Sequence, residues 1–143
     1  MSASDLAQVM EEYRRGLDAF VKGDPEPAKM LFSRRDDVTL ANPFGPPARG
    51  WNQVERTMDR AASQFRDGEP VSHERISEYV TADLAYNVVI ERTRAKAGSA
   101  DEIAPISLRV TTIFRREDDE WRIVHRHADP ITSPRSIETI VEQ

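Results

Sequence analysis

Two histidines and an aspartate near the C-terminus are the residues whose types and spacing best suit chemistry. His125, His127 and Asp129 alternate within a strand-like run, residues 121–129, that also contains Trp121 and Ile123. Because side chains two residues apart on a strand share a face, this set is predicted to form one wall of a pocket. A carboxylate beside an imidazole orients the ring and raises its basicity, so His127 and Asp129 suit general acid–base catalysis.

The same histidines permit two other interpretations. Both rings are also typical of partly buried structural residues, hydrogen-bonded to a tyrosine or to the backbone, or placed at a subunit interface. A His-x-His pair on a strand has metal-ligand spacing as well, with Asp129 or His73 as a third ligand. Since the sequence does not define that third ligand, we predict no metal. Cysteine is absent, which excludes a thiolate site or a cysteine nucleophile, and no cofactor is predicted.

A proline-rich loop contributes the third candidate catalytic residue, Asn42. Residues 42–50 contain three prolines and two glycines, so the loop backbone has few alternatives and can hold Asn42 and Phe44 in place. The Asn42 carboxamide is suited to hydrogen-bonding a substrate carbonyl or orienting a water molecule. An asparagine before a proline is equally an ordinary turn initiator.

The elements that must position these residues follow from hydrophobic periodicity. Apolar residues at helical spacing predict a first helix over about residues 4–22, a short second helix after Asp24-Pro25, and a third helix from Trp51 through Phe65 to a stop at Asp67-Gly68. A short strand is predicted at 38–42, and alternation predicts strands at 71–80, 84–94, 106–116 and 121–131. The layout is α+β: three N-terminal helices packed on a curved antiparallel sheet, mixed at most, that encloses a pocket.

Alternation also assigns faces within the sheet. Leu108, Val110, Thr112 and Phe114 are predicted to face the helices. Arginines 109, 115, 122 and 126 are assigned to the outer face, paired with acidic residues or lying across a dimer interface. The predicted ligand-binding residues are Tyr13, Phe44, Trp51, Met58, Tyr86, Thr112 and His125. Bulky residues of this kind are also typical of a protein core, which is the commoner place for them. Tyr13, Trp51 and Tyr86 are favoured for the pocket because each carries a polar group that needs a partner.

Composition limits the classes of partner. The 143 residues carry a net charge of −5, with arginines scattered among acidic residues, so we expect no binding to nucleic acid. No signal peptide and no membrane-length apolar run is present. We therefore predict a single cytoplasmic domain over residues 1–143, with its core at about 6–130 and a tail at 131–143.

Several motifs together resemble a known family. Gly23-Asp24, the 42–47 segment leading to Gly50, and residues 114–127 are similar to SnoaL-like proteins of the ketosteroid isomerase and nuclear transport factor 2 superfamily. The resemblance spans about residues 6–130 and implies a cystatin-like α+β cone. It implies no single activity, because the superfamily includes isomerases, cyclases, hydrolases, dehydratases and non-catalytic association domains.

The chain departs from the steroid isomerases at the positions that carry their chemistry. The resemblance places their aspartate base at Asn42, their oxyanion-binding tyrosine near Gly16, and their protonated aspartate near Thr112. A carboxamide cannot accept the proton that the aspartate shuttles, so the steroid isomerase mechanism is disfavoured.

Two functional hypotheses follow. The first is binding of a small, apolar ligand with a carbonyl or hydroxyl group, with isomerase- or lyase-like acid–base chemistry that needs no cofactor. The second is a non-catalytic module that binds a ligand or associates through its outer sheet face as a homodimer, with structural histidines. A cavity into which His127 and Asn42 project would favour the first hypothesis.

Overall fold

Across residues 3–142 the fold consists of three helices, a short 3₁₀ turn and one six-stranded sheet. The computed structural model describes residues 3–142, so Met1, Ser2 and Gln143 at the ends of the predicted domain lie outside the described residues. The elements, in chain order, are α1 (Ala3–Phe20), α2 (Glu26–Lys29), β1 (Thr39–Ala41), β2 (Ala48–Arg49), α3 (Trp51–Ala62), β3 (Phe65–Val80), β4 (Leu84–Ala97), β5 (Ala104–Glu117), β6 (Glu120–Asp129) and a 3₁₀ turn (Ile137–Ile140). None of the helices within residues 3–142 has the length and apolar character needed to cross a membrane.

The predicted α+β class is confirmed. The strand order is β2-β1-β6-β5-β4-β3, and all neighbours are antiparallel except β1 and β6, which run parallel. The sheet is therefore mixed, within the predicted limits. The buried core lies between the helices and the inner face of the sheet, where Phe114, Ile123 and Val54 are almost completely inaccessible.

The second helix is only one turn long and is anchored by a buried lysine. The Nζ atom of Lys29 lies 2.9 Å from Asp59, 3.1 Å from Glu55 and 3.0 Å from Glu26. Burial by itself would lower the pKa of Lys29, but the hydrogen bonds to the three carboxylates outweigh it and raise the pKa. The lysine stays charged, and α2 is held against α3.

The predicted end of the third helix is wrong. Helix α3 ends at Ala62, and Phe65 begins β3. Gly68 pairs with the end of α1, because its N–H donates to the carbonyl oxygen of Val21 at 3.1 Å. A Cβ on Gly68 would lie 2.3 Å from that oxygen, so this position requires glycine for close approach of the two backbones.

An irregularity in β6 sets the direction of every side chain that follows it. Phe114 pairs with Ile123 and Ile113 pairs with His125, so Val124 is an extra residue without a partner on β5. Such a β-bulge shifts the alternation by one position. Ile123, Arg126 and Ala128 therefore face the helices, whereas His125, His127 and Asp129 face the opposite side.

Candidate functional site

The cone encloses an apolar cavity with a volume of about 420 Å³. Helix α1 contributes Leu17 and Phe20, and the sheet contributes Leu108 and Ile123. The full lining is Tyr13, Leu17, Phe20, Val21, Ala28, Leu31, Phe32, Leu40, Asn42, Pro43, Phe44, Met58, Ala61, Phe65, Glu91, Thr93, Ala97, Ile106, Leu108, Ile123, Arg126 and Pro130. A cavity of this size and composition is typical of small-molecule sites.

Three polar side chains from three elements meet at the inner end of the cavity, where Tyr13 is 8% and Glu91 5% exposed. The hydroxyl of Tyr13 on α1 donates to Oε2 of Glu91 on β4 at 2.6 Å. Arg126 on β6 donates from Nε to the Tyr13 hydroxyl at 2.9 Å and from Nη2 to Oε1 of Glu91 at 2.9 Å. We call Tyr13, Glu91 and Arg126 the polar cluster. It closes a ring of charge-assisted hydrogen bonds within an otherwise apolar wall.

The electrostatics keep Tyr13 and Arg126 each in one protonation state. Burial raises the pKa of Tyr13; Arg126 lowers it and Glu91 raises it by smaller amounts. Burial would lower the pKa of Arg126, but Tyr13 and Glu91 outweigh it and raise that pKa. At neutral pH the phenol is therefore protonated and the guanidinium is charged.

The outer end of the cavity is formed by the proline-rich loop and by the ends of strands. Phe44 is 67% exposed. Pro130, the residue that follows β6, is also exposed and also lines the cavity. These two residues form its rim. Oδ1 of Asn42 accepts the backbone N–H of Phe44 at 3.1 Å, so Asn42 begins a turn while its side chain also borders the cavity. Thr93 adds a hydroxyl to the wall, two residues along β4 from Glu91.

The fold and cavity place the chain among known proteins. A family model described as the SnoaL-like domain matches residues 9–132. The chain belongs to this SnoaL-like family. No sequence match is found among curated proteins.

Solved structures share the fold of this SnoaL-like domain. A nuclear transport factor 2 superfamily protein from Salmonella enterica is 19% identical, with a TM-score of 0.77 over 96% of this chain and 99% of that one. A ketosteroid isomerase-like protein from Erwinia carotovora is 17% identical, with a TM-score of 0.72 over 90% and 98%. A domain with a cystatin-like fold from Nostoc punctiforme is 15% identical, with a TM-score of 0.69 over 97% and 83%. At these identities the likeness concerns the fold.

Some of the predicted site residues lie together in the cavity of the SnoaL-like domain. Tyr13, Asn42, Phe44 and Met58 all line it. Thr112 faces the helices as predicted and is 1% exposed, but it borders a separate small pocket of about 30 Å³ rather than the main cavity.

Trp51 and Tyr86 lie away from the cavity. The guanidinium of Arg34 stacks over the Trp51 ring at 3.7 Å, at the start of α3. Tyr86 pairs with Ile113 and so projects from the outer face of the sheet, where its ring centroid lies 6.3 Å from that of Tyr79. The prediction placed Tyr86 in the pocket, but the alternate residues of β4, which are also partly apolar, are the ones that face inward.

The predicted catalytic pair His127 and Asp129 forms, but on the outer face of the sheet. His127 Nε2 lies 3.1 Å from Asp129 Oδ2, and Asp129 also accepts two hydrogen bonds from Nε and Nη2 of Arg109, at 3.0 and 2.8 Å. His125 faces the same way and is hydrogen-bonded through Nδ1 to the hydroxyl of Thr39 at 2.8 Å. Because of the bulge at Val124, none of the three side chains reaches a ligand in the cavity.

A metal is not supported by the arrangement of histidines. His73 pairs with Glu91 on the inner side of the sheet, opposite His125 and His127. Within residues 3–142, no cluster of three or more histidine, aspartate and glutamate side chains is suitable for a metal ion.

Sequence reasoning missed Glu91 and Arg126. Arg126 was assigned to the outer face with Arg109, Arg115 and Arg122, and the bulge reverses that assignment. Glu91 lies on the same inward-facing side of β4 as Ala85, Asn87 and Val89. A carboxylate in this partly apolar series was the sequence feature that could have indicated a buried charge. Charged residues are seldom fully buried unless they are paired. Glu91 and Arg126, with opposite charges among the apolar residues of two strands, could therefore have indicated a buried ion pair.

Proposed function

We propose that this SnoaL-like domain binds one small, largely apolar molecule that carries a carbonyl or hydroxyl group. The observation that carries the proposal is the cavity of about 420 Å³, whose walls are apolar and whose inner end holds the polar cluster. Apolar walls supply affinity at roughly 25 cal/mol per Å² of ligand surface removed from water. A few polar groups at one end then set the orientation of the ligand.

Acid–base turnover in the cavity is the second candidate function. It is favoured by Glu91, the one carboxylate among the described residues that line the cavity. Both Glu91 oxygens already accept hydrogen bonds, from Tyr13 and from Arg126, and the Glu91 side chain is only 6% exposed, so a ligand has little access to the lone pairs that remain on the carboxylate. Binding is therefore the function that the geometry supports better.

The outer sheet face supports a proposal about partners. We propose that a second copy of the chain packs on this face to form a homodimer. Tyr86 is 39% and Tyr79 is 61% exposed there, and their rings lie next to each other. Charged residues of both signs, such as Arg109 and Asp129, flank the apolar positions. A two-fold axis can bring such a surface into contact with itself, opposite charges facing one another.

The binding proposal is tested with 2-acetylnaphthalene, an apolar ketone small enough for the cavity. We expect it to raise the melting temperature of the wild-type protein, because a ligand that binds only the folded state stabilises it. Leu108→Trp, which fills the cavity, is expected to abolish the shift. Leu84→Trp makes the same change at a side chain that is 50% exposed and should leave the shift intact. An equal response of both variants would contradict binding in the cavity.

A further inference from the structure

We propose that the polar cluster makes the cavity selective for neutral ligands that end in a hydrogen-bond acceptor, such as a ketone, ester or amide, and that Glu91 excludes carboxylates. The inference rests on the proposed binding function and specifies the ligand class of the same cavity. Three observations carry it: the hydrogen bonds that the cluster has already made, the exposure of its members, and the charge of the cavity as a whole.

The hydrogen bonds within the cluster leave donors for a ligand. The Tyr13 hydroxyl donates to Glu91 and accepts from Arg126, and each Glu91 oxygen accepts one bond. Arg126 uses Nε and Nη2 for these contacts, and no described residue is hydrogen-bonded to its Nη1. A guanidinium has five N–H donors and no acceptor. The capacity that remains on Arg126 is therefore matched by a ligand oxygen with lone pairs.

Exposure favours the same partner. The Arg126 side chain is 15% exposed, whereas the Glu91 side chain is 6% exposed. A ligand at the inner end of the cavity therefore reaches the guanidinium more readily than the carboxylate. A carbonyl oxygen satisfies Arg126 without bringing a donor that the cluster must accommodate, so a ketone is a better match than an alcohol.

The charge of the cavity argues against an anionic ligand. Glu91 and Arg126 are the charged side chains among the described residues that line the cavity, and their charges cancel. A ligand carboxylate would lose its hydration in an apolar cavity and would compete with Glu91 for the same guanidinium. Like charges at such short range repel strongly where water is excluded. Glu91 therefore supplies the repulsive element that specificity requires.

The test compares three probes that share one ring system: naphthalene, 2-acetylnaphthalene and 2-naphthoate. Their dissociation constants are measured by fluorescence titration at pH 7.5, where the acid is ionised. We expect the wild-type protein to bind the ketone at least about tenfold more tightly than the carboxylate. Equal or tighter binding of 2-naphthoate would overturn the inference.

Exchange of Glu91 gives the sharper comparison. Glu91→Gln keeps the size of the side chain but leaves the Arg126 charge unbalanced, so the preference should shift toward 2-naphthoate by at least about tenfold. Glu74→Gln removes a carboxylate that pairs with Arg92 on the outer face and should leave the preference unchanged. A folded Glu91→Gln protein with the wild-type preference would overturn the role of Glu91.

One further variant and the pattern of probe binding keep the outcomes separate. Tyr13→Phe retains the charges of Glu91 and Arg126, so its preference for the ketone should persist. This variant keeps the inference testable even if Glu91→Gln does not fold. Loss of the preference in Tyr13→Phe would count against the charge argument. If naphthalene and the ketone bind but the carboxylate binds equally well, the selectivity is wrong while the binding function stands. If none of the three probes binds the wild-type protein, the proposed function itself is rejected.

Discussion

At the scale of single residues, the polar cluster joins the three elements on which the cavity depends. Tyr13 belongs to α1, Glu91 to β4 and Arg126 to β6, and the three are linked at 2.6–2.9 Å. A buried ion pair of this kind adds little to the free energy of unfolding relative to a pair of apolar residues of the same shape. Loss of one partner is different, because it leaves the other charge buried without compensation.

Replacement of Arg126 tests that asymmetry. Arg126→Met should lower the free energy of unfolding by about 3–5 kcal/mol, because Glu91 would remain buried without its cation. The double variant Glu91→Leu with Arg126→Met should recover most of that loss. Urea denaturation of the three proteins measures the effect. An Arg126→Met protein as stable as the wild type would show that Glu91 is not held as a buried charge.

Two histidines make stability depend on pH. Burial lowers the pKa of His73, and the charge of Glu91 offsets only part of this effect. The pKa of His125 is lowered mainly by burial and, to a smaller extent, by the neighbouring His127. An unfolded histidine has a pKa of about 6.5, so near pH 6 the unfolded chain binds more protons than the folded one. The two histidines therefore make their full contribution to the free energy of unfolding above about pH 6.5 and lose it as the pH falls below that value.

The measurement is urea denaturation at pH 7.5, 6.0 and 5.0. The free energy of unfolding should decline over this range in the wild type and decline less in the double variant His73→Gln with His125→Gln. Asp37 and Asp129, whose pKa values are lowered, stabilise the fold throughout this pH range and lose that contribution only below about pH 4, near the unfolded value for aspartate. An unchanged slope in the double variant would contradict the assignment to these two histidines.

At the scale of elements, two local features determine what the sheet presents to each side. The bulge at Val124 turns Arg126 inward and the His127–Asp129 pair outward. Gly68 allows β3 to approach the end of α1, with its N–H bonded to Val21. The first feature supplies the cavity with its cation, and the second joins the helix to the edge strand.

Two glycine substitutions test the packing between α1 and β3. Gly68→Ala would place a Cβ 2.3 Å from the Val21 oxygen, so we expect it to lower the free energy of unfolding by about 1–3 kcal/mol. Gly45→Ala is the matched control, because no atom lies within 4 Å of the added Cβ, and it should change stability by no more than about 0.5 kcal/mol. Equal melting temperatures for the two variants would contradict the close approach.

At the scale of the whole molecule, the sheet has two faces with different roles. The inner face encloses the cavity, and the outer face carries Tyr79, Tyr86, His125 and His127. In the proposed homodimer this outer face is covered, while the rim of the cavity at Phe44 and Pro130 stays open to ligands. Binding and association would then be separable by mutation.

The homodimer is tested by sedimentation equilibrium. Tyr86→Lys should convert the dimer into a monomer, because it places a charge at the centre of the proposed apolar contact. Met30→Lys makes a comparable change at a side chain that is 68% exposed on the helical side and should leave the mass unchanged. A monomeric wild type, or a Tyr86→Lys protein that stays dimeric, would reject this interface.

The amino-acid sequence by itself determined the order of helices before the long strands and the inward face of β5, but not the end of α3 at Ala62, the start of β3 at Phe65 or the two-residue strand β2. Periods of 3.6 and 2 are local properties, and the set Leu108, Val110, Thr112 and Phe114 is clear because the alternate residues are mostly polar. Only the tertiary structure decided the closing strand. Ile123 and Val124 are both apolar, so alternation allowed either phase, and only the pairing with β5 shows that Val124 is bulged. The inward direction of Arg126 depends on that pairing, and its partners Tyr13 and Glu91 are 113 and 35 residues away in the chain.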